Sequence, residues 1–288
     1  MNSAIFEYLK DILICPDCSE NFNFNTVINN ALTCISCNNK FPIEEGIIIL
    51  KPSKIKPVPH FYNNSDHSQY IKTMDELHED HYRKRFFSSK FEFWLKNALL
   101  KLIVNPIVPF VDIGCGTGSG FNIIGAEQDI IGVDVNLVLL KKCREKYPDA
   151  TLICCDMTCP PFKPQSFKTI FSICALEHIF YIESVVDNIE RILHDEGFFY
   201  VAVPTEGGMA WTFMRNIFTA PRYSRMFNYD YKKALSIEHC NTIFTIENIL
   251  NKYFIIDGKG QFPLPIGSKQ FNLGMLYRLK KRGFASEK

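Results

Sequence analysis

The sequence predicts an α/β protein: a mostly parallel sheet with helices on both faces, preceded by a small module rich in cysteine. Two observations predict the sheet. After Pro106 short apolar runs alternate with helix-length segments, and the first of those runs, ending in FVDI, passes straight into a glycine-rich turn. The third observation is a pair of CxxC motifs within the first forty residues, which predicts the separate module.

Taken in chain order, the module comes first. Cys15 and Cys18 form one pair and Cys34 and Cys37 the other, with fifteen residues between them that include the alternating Phe22, Phe24, Val27 and Ile28. Each pair can sit on a tight turn that aims both sulfurs at one point, so two turns complete a tetrahedral thiolate shell for zinc. Four thiolates leave no open position for water or substrate, so the zinc is expected to be structural. A module of some fifty residues has too few core residues to fold alone, and metal binding would supply the missing stability. Loss of a ligand is therefore expected to unfold this module, residues 1–51, and leave the larger domain folded. The proline- and lysine-rich stretch KPSKIKPVP, from Lys51 to Pro59, reads as a linker. From Asp75 to Val104 the pattern turns helical, with Phe86, Phe87, Phe91, Trp94, Leu95, Leu99 and Leu102 at helix-compatible intervals. Residues 52–105 thus read as linker and helical region, and 106–288 as the larger domain.

In that domain strands are expected near Val108 to Ile113, Ile130 to Asp134, Thr151 to Cys155, Thr169 to Cys174, Phe198 to Val203, Phe254 to Lys259 and Leu273 to Leu279. Helices are expected near Gly118 to Ala126, Leu137 to Lys146, Ile182 to Leu193 and Ile246 to Tyr253. Composition limits the function. With 32 basic and 31 acidic residues the formal net charge is +1, which argues against a constitutive nucleic-acid binder. The compact basic clusters, 81–85 and 278–282, read as solvated faces. No apolar run is long enough to span a bilayer, and the N-terminus lacks a secretory plan. Eleven cysteines, several inside apolar runs, suit a reducing compartment, so a cytoplasmic location is expected.

The glycine-rich turn carries the functional reading. Asp112 ends a strand, and Gly114, Gly116, Gly118 and Gly120 follow, so the chain can turn tightly and present bare backbone to a ligand. A dinucleotide fingerprint needs glycine at 119 or 121, where Ser119 and Phe121 stand, and no GK[ST] follows for a Walker loop. An acidic residue followed by GxGxG resembles motif I of the class I S-adenosylmethionine-dependent methyltransferases. Asp134 ends IIGVD twenty-two residues after Asp112, where it can accept from both ribose hydroxyls. Asp156, in ICCDM, resembles the family's acceptor for the adenine amino group, with Met157 donating a backbone N–H to the ring. The resemblance implies a Rossmann-like, seven-stranded, mostly parallel sheet. It also implies S-adenosylmethionine contacts from Asp112, Gly114, Gly116, Gly118, Asp134, Val135, Asp156, Met157 and Ala175. The first fifty residues, including the strand from Phe41 to Ile49, look like the small zinc-ribbon activator subunits of methyltransferases.

Methyl transfer is an in-line displacement in which the enzyme positions a nucleophile and, for a hydroxyl or weakly acidic N–H, removes its proton. His178, in ALEHI after the fourth strand, resembles the histidine of small-molecule methyltransferases with an LEH segment. His239, in SIEHCN, is the second candidate base and Glu206 the third. Residues 204–242 lie where such enzymes carry an acceptor-binding insertion, and PTEGG…EHCN is similar to methyltransferases that act on sugars and secondary metabolites. The expected acceptor is a small molecule or carbohydrate methylated on oxygen or nitrogen. RNA is the alternative substrate, and a non-catalytic cofactor- or partner-binding protein is the third reading.

Overall fold

A computed structural model describes residues 3–28, 30–54, 86–124, 130–227, 235 and 239–283. The linker beyond residue 54, the helical pattern before residue 86, the basic cluster 81–85 and parts of the 204–242 insertion lie outside the described residues.

Helix α1 (Ser3–Ile12) precedes a meander of four strands, β1 (Phe22–Ile28), β2 (Ala31–Cys34), β3 (Lys40–Glu44) and β4 (Ile47–Leu50). Helix α2 (Phe86–Leu102) follows, and then the alternation anticipated from the sequence. It runs β5 (Phe110–Ile113), α3 (Ser119–Ile124), β6 (Ile130–Asp134), α4 (Leu137–Lys146), β7 (Thr151–Cys155) and β8 (Phe167–Ile173). After a 3-10 turn at Leu176–His178 come α5 (Ile182–Ile192), β9 (Leu193–Pro204), α6 (Met209–Met214), a π-helical turn (Arg215–Thr219), α7 (Ala220–Phe227), α8 (Ile243–Tyr253), β10 (Phe254–Phe262) and β11 (Gly274–Lys281).

All eleven strands form one sheet in the order β1-β2-β3-β4-β7-β6-β5-β8-β9-β11-β10. This corrects the seven-stranded expectation. β4 pairs in parallel with β7, from Ile47 opposite Leu152 to Leu50 opposite Cys155, so the cysteine module extends the sheet and is not a separate body. The sheet is mixed, because β1 to β4 are antiparallel to one another and β11 is antiparallel to both β9 and β10.

Strand alternation explains how β4 is held on both sides. Ile48 and Leu50 point into a core shared with Leu9, Leu13, Ile153 and Val185, whereas Ile47 points to the other face with Leu152, Leu140 and Tyr147. A continuous apolar run is the composition of a strand buried on two faces. The module is tied down further by Ile14 N donating to Pro161 O (3.0 Å) and Lys163 N to Ile12 O (2.9 Å). Arg144 of α4 also donates to Gly46 O (3.0 Å). Helix α2 buries Leu95, Leu99 and Leu102 as expected, and its Phe91 packs on Phe262 and Trp211. Among the described residues no helix is long and apolar enough to cross a membrane.

Candidate active site

The parallel strands place their C-terminal ends along one edge, and the first half of the site is built there. All of FVDI in β5 is buried, and the chain leaves it through Gly114, Gly116 and Gly118, whose φ values are 75°, 52° and 81°. These left-handed values suit glycine. A side chain at Gly114 would also put its Cβ 2.4 Å from the Cβ of Ala175, so the loop lies hard against the end of β8. Asp112 sits beneath the loop and is 2 % exposed. Burial and the nearby Asp134 charge push its carboxyl up to about 7, and Oδ1 is buried without a hydrogen-bond partner among the described residues.

Asp134 ends the neighbouring β6. Its Oδ2 accepts from Gly116 N (2.9 Å) and its Oδ1 from Asn136 N (2.8 Å). Burial raises this carboxyl and those backbone donors only partly offset it. Val135, the next residue, is exposed, and Asn136 caps α4 through Val138 N and Leu139 N. Asp156 follows β7, its Oδ1 accepting from Thr158 N (2.8 Å), while Met157 is buried with its carbonyl bound by Asn188. Three adjacent strands, β7, β6 and β5, thus each deliver an aspartate to the same edge as the glycine loop.

The second half comes from β8, β9 and the insertion. Cys174 leaves β8 at φ 52°, an uncommon value for a residue with a side chain, and turns the chain into the 3-10 turn that carries Glu177 and His178. Asn241 holds that turn, donating from Nδ2 to Leu176 O (3.0 Å) and Ile179 O (2.7 Å) and from its backbone N to Glu177 O (3.1 Å). His239 is thereby brought against His178, ring centroids 4.8 Å apart and edge-to-face. Glu206, just after β9, accepts from Trp211 Nε1 (2.6 Å), from Arg215 Nη1 and, at 3.0 Å, from His239 Nδ1. Burial pushes the Glu206 carboxyl up, but His239 and Arg215 outweigh it and leave it below the usual glutamate range. All three candidate bases, His178, Glu206 and His239, meet in one place. Sequence reasoning missed Trp211 and Arg215, whose i, i+4 spacing on one helix face was the available signal, and it missed the clamp by Asn241.

The four cysteines form a second cluster. Their sulfurs lie within 4.8 Å of one another, with Cys15 to Cys37 at 3.7 Å and Cys18 to Cys34 at 3.4 Å. A tetrahedron with metal–sulfur bonds of about 2.3 Å has edges of about 3.8 Å, so the set fits one zinc ion. Both turns also aim a backbone N–H at the first sulfur of the pair, Asp17 N to Cys15 Sγ (3.4 Å) and Ser36 N to Cys34 Sγ (3.5 Å).

This chain is similar to several known proteins over its central part. A relative in Methanocaldococcus jannaschii, described as an uncharacterized protein, is 28 % identical over 142 residues, which is 48 % of this chain and 60 % of that protein. The chain therefore spans less than two thirds of the length of the curated relative it matches. Among solved structures, a Thermotoga maritima S-adenosylmethionine-dependent methyltransferase, described as a possible histamine N-methyltransferase, aligns with TM-score 0.49 and 15 % identity over 74 % of this chain and 100 % of its own. The N-methyltransferase NodS of Bradyrhizobium japonicum, in complex with S-adenosylhomocysteine, aligns with TM-score 0.48 and 13 % identity over 74 % of this chain and 98 % of its own. The stretch that carries the glycine loop, the three aspartates, Ala175 and His178 matches a family model: residues 111–201 of this chain are similar to the family described as a methyltransferase domain.

Proposed function

We propose that the protein is an S-adenosylmethionine-dependent methyltransferase that acts on oxygen or nitrogen of a small-molecule or sugar-like acceptor. The observation that carries this reading is the set of three strand-end aspartates around the glycine loop, within a methyltransferase domain. Asp134 would take the ribose hydroxyls, with Val135 beside it. Asp156 and the backbone of Met157 would take the adenine edge. Gly114, Gly116, Gly118 and Ala175 would line the amino-acid end, where the unmet Oδ1 of Asp112 suits a cationic donor. The bound co-substrate supplies an electrophilic methyl group on a sulfonium, and the remaining work is to orient the nucleophile and take its proton. His178, on the turn after β8, and His239, in the insertion that follows β9, would serve that second task.

Cys15, Cys18, Cys34 and Cys37 would hold a structural zinc ion, supported by the sulfur spacing and the paired N–H to sulfur contacts. Metal analysis of protein purified under reducing conditions should find one zinc per chain, and its absence would remove this part of the reading. Calorimetry with S-adenosylmethionine and S-adenosylhomocysteine tests the central claim, which fails if neither binds. Labelled methyl donor with fractionated cell extract then identifies the acceptor: label in small molecules is expected, and label in RNA would replace that acceptor class.

A further inference from the structure

We infer that Glu206 is a positioning residue that holds His239 as the proton acceptor of the reaction, and that this arrangement fits the site to a hydroxyl acceptor. The inference rests on the methyltransferase reading above and goes beyond it by choosing between oxygen and nitrogen.

The geometry is specific. Glu206 is 7 % exposed, and its two oxygens receive Trp211 Nε1, Arg215 Nη1 and His239 Nδ1. An ionised carboxylate only accepts, so the proton of neutral His239 is held on Nδ1 and Nε2 becomes the basic nitrogen. The ring cannot swing freely, because the next two residues are bonded to the LEH turn: Cys240 Sγ to Glu177 O (3.6 Å) and Asn241 to the backbone of Leu176, Glu177 and Ile179. His178 stands edge-to-face against His239, with its Nε2 3.8 Å from Glu177 Oε1. Among the described residues, the charged and titratable groups facing His239 include Glu206 after β9, Arg215 on the insertion helix, His178 and Glu177 on the 3-10 turn, and Cys240 beside it.

The chemistry selects the acceptor. A neutral amine already has the lone pair it needs, and a carboxylate is already charged. An alcohol or phenol has no strongly nucleophilic form near pH 7 and must lose its proton as it attacks. The acceptor oxygen forms its bond to the methyl carbon as the carbon–sulfur bond breaks, and that bonding pair stays on sulfur. The hydroxyl proton passes to His239 Nε2, and the resulting imidazolium lies against the Glu206 carboxylate. A buried carboxylate behind an imidazole is thus of most use for an O–H.

The test uses the full chain saturated with S-adenosylhomocysteine and labelled with 15N-histidine. Neutral His239 should show Nδ1 protonated in the wild type and in Glu206→Asp, and a mixed tautomer in Glu206→Gln. Transfer from methyl-labelled S-adenosylmethionine into the small-molecule fraction of a cell extract should give alkali-stable, non-basic ethers. Glu206→Gln should lower the rate at saturating donor more than tenfold, with S-adenosylhomocysteine affinity within about twofold of wild type. The acidic limb of its pH–rate profile should also move to lower pH, because a neutral amide stabilises the imidazolium less than a carboxylate does. Glu206→Asp should recover part of the rate. A His239 protonated on Nε2, label confined to basic amines or alkali-labile esters, or a Glu206→Gln enzyme at wild-type rate would each overturn the inference. A wild type that does not bind S-adenosylhomocysteine would instead overturn the reading beneath it.

Discussion

Replacing Cys34 with serine, or stripping the proposed zinc ion with a chelator, should destabilise the large sheet and not the cysteine module alone. The sequence suggested the opposite, that the module would unfold and leave the rest intact, and the pairing of β4 with β7 reverses that expectation. Three aliphatic side chains of β4, Ile47, Ile48 and Leu50, are buried among residues of β7, α1 and α4. At about 1.5–3 kcal/mol for each such side chain, detaching β4 forfeits roughly 5–9 kcal/mol. That is comparable to the entire stability of an ordinary domain, about 5–15 kcal/mol. The detached strand would also leave the β7 edge unpaired next to Asp156. Hydrogen exchange read by mass spectrometry separates the possibilities, since it reports opening segment by segment. Amides of Thr151–Cys155 and of β6 should lose protection together with those of β1 to β4 when zinc is removed, and S-adenosylhomocysteine affinity should fall. If β1 to β4 exchange freely while β7 keeps its wild-type protection and ligand affinity is unchanged, the coupling through β4 is wrong.

Other perturbations follow from the same geometry. Asp134→Ala removes both the expected ribose acceptor and the partner of Gly116 N, and should weaken S-adenosylhomocysteine binding by about 1–3 kcal/mol in calorimetry. Gly114→Ala meets a left-handed φ of 75° and a 2.4 Å approach to the Ala175 Cβ, so it should lower the thermal midpoint and ligand affinity. Adding Ala175→Gly should restore only the part due to the clash, since the backbone strain remains. Asp112 titrates near 7 when folded and near 4 when unfolded, so the folded state holds an extra proton between those values and stability falls as pH rises through that window. The loss over the whole window is at most about 4 kcal/mol, of which at most about 3 kcal/mol falls between pH 5 and pH 8, and denaturant titrations at those two values should show it in the wild type and not in Asp112→Asn. Glu206 behaves oppositely: its folded carboxyl lies below the usual range, so its contribution is present above the unfolded value and is lost as pH falls through the folded one. The acid transition of Trp211 emission, measured in a Trp94→Phe background, should move to higher pH in His239→Asn.

What was legible in the sequence was local. The strand-to-glycine turn, Asp134 at the end of β6 and Asp156 after β7 are each set by a few consecutive residues, and β6, α4 and β7 occupy the expected spans. Helix α1 has no counterpart among the elements expected from the sequence, although Ile5, Leu9 and Ile12 in MNSAIFEYLKD mark a buried helical face. The parallel partner of β4 depends on a strand a hundred residues away, and its apolar run carries no address. The convergence of His178, Glu206 and His239 was equally hidden. It requires β8 beside β9, a helix that returns Trp211 and Arg215 to Glu206, and Asn241 clamped on the LEH turn. Spacing ranked the three residues separately, and only the sheet order makes them neighbours.

The eleven-stranded sheet also bears on self-association. An unpaired strand edge offers backbone donors and acceptors to any extended chain, which invites aggregation or strand exchange between copies. In this protein the β7 edge, next to Asp156, is closed within the same chain by β4. Among the described residues the open margins of the sheet are β1, in the cysteine module, and β10, at the opposite end. Strand addition between copies would use those two margins, both remote in strand order from the three aspartates.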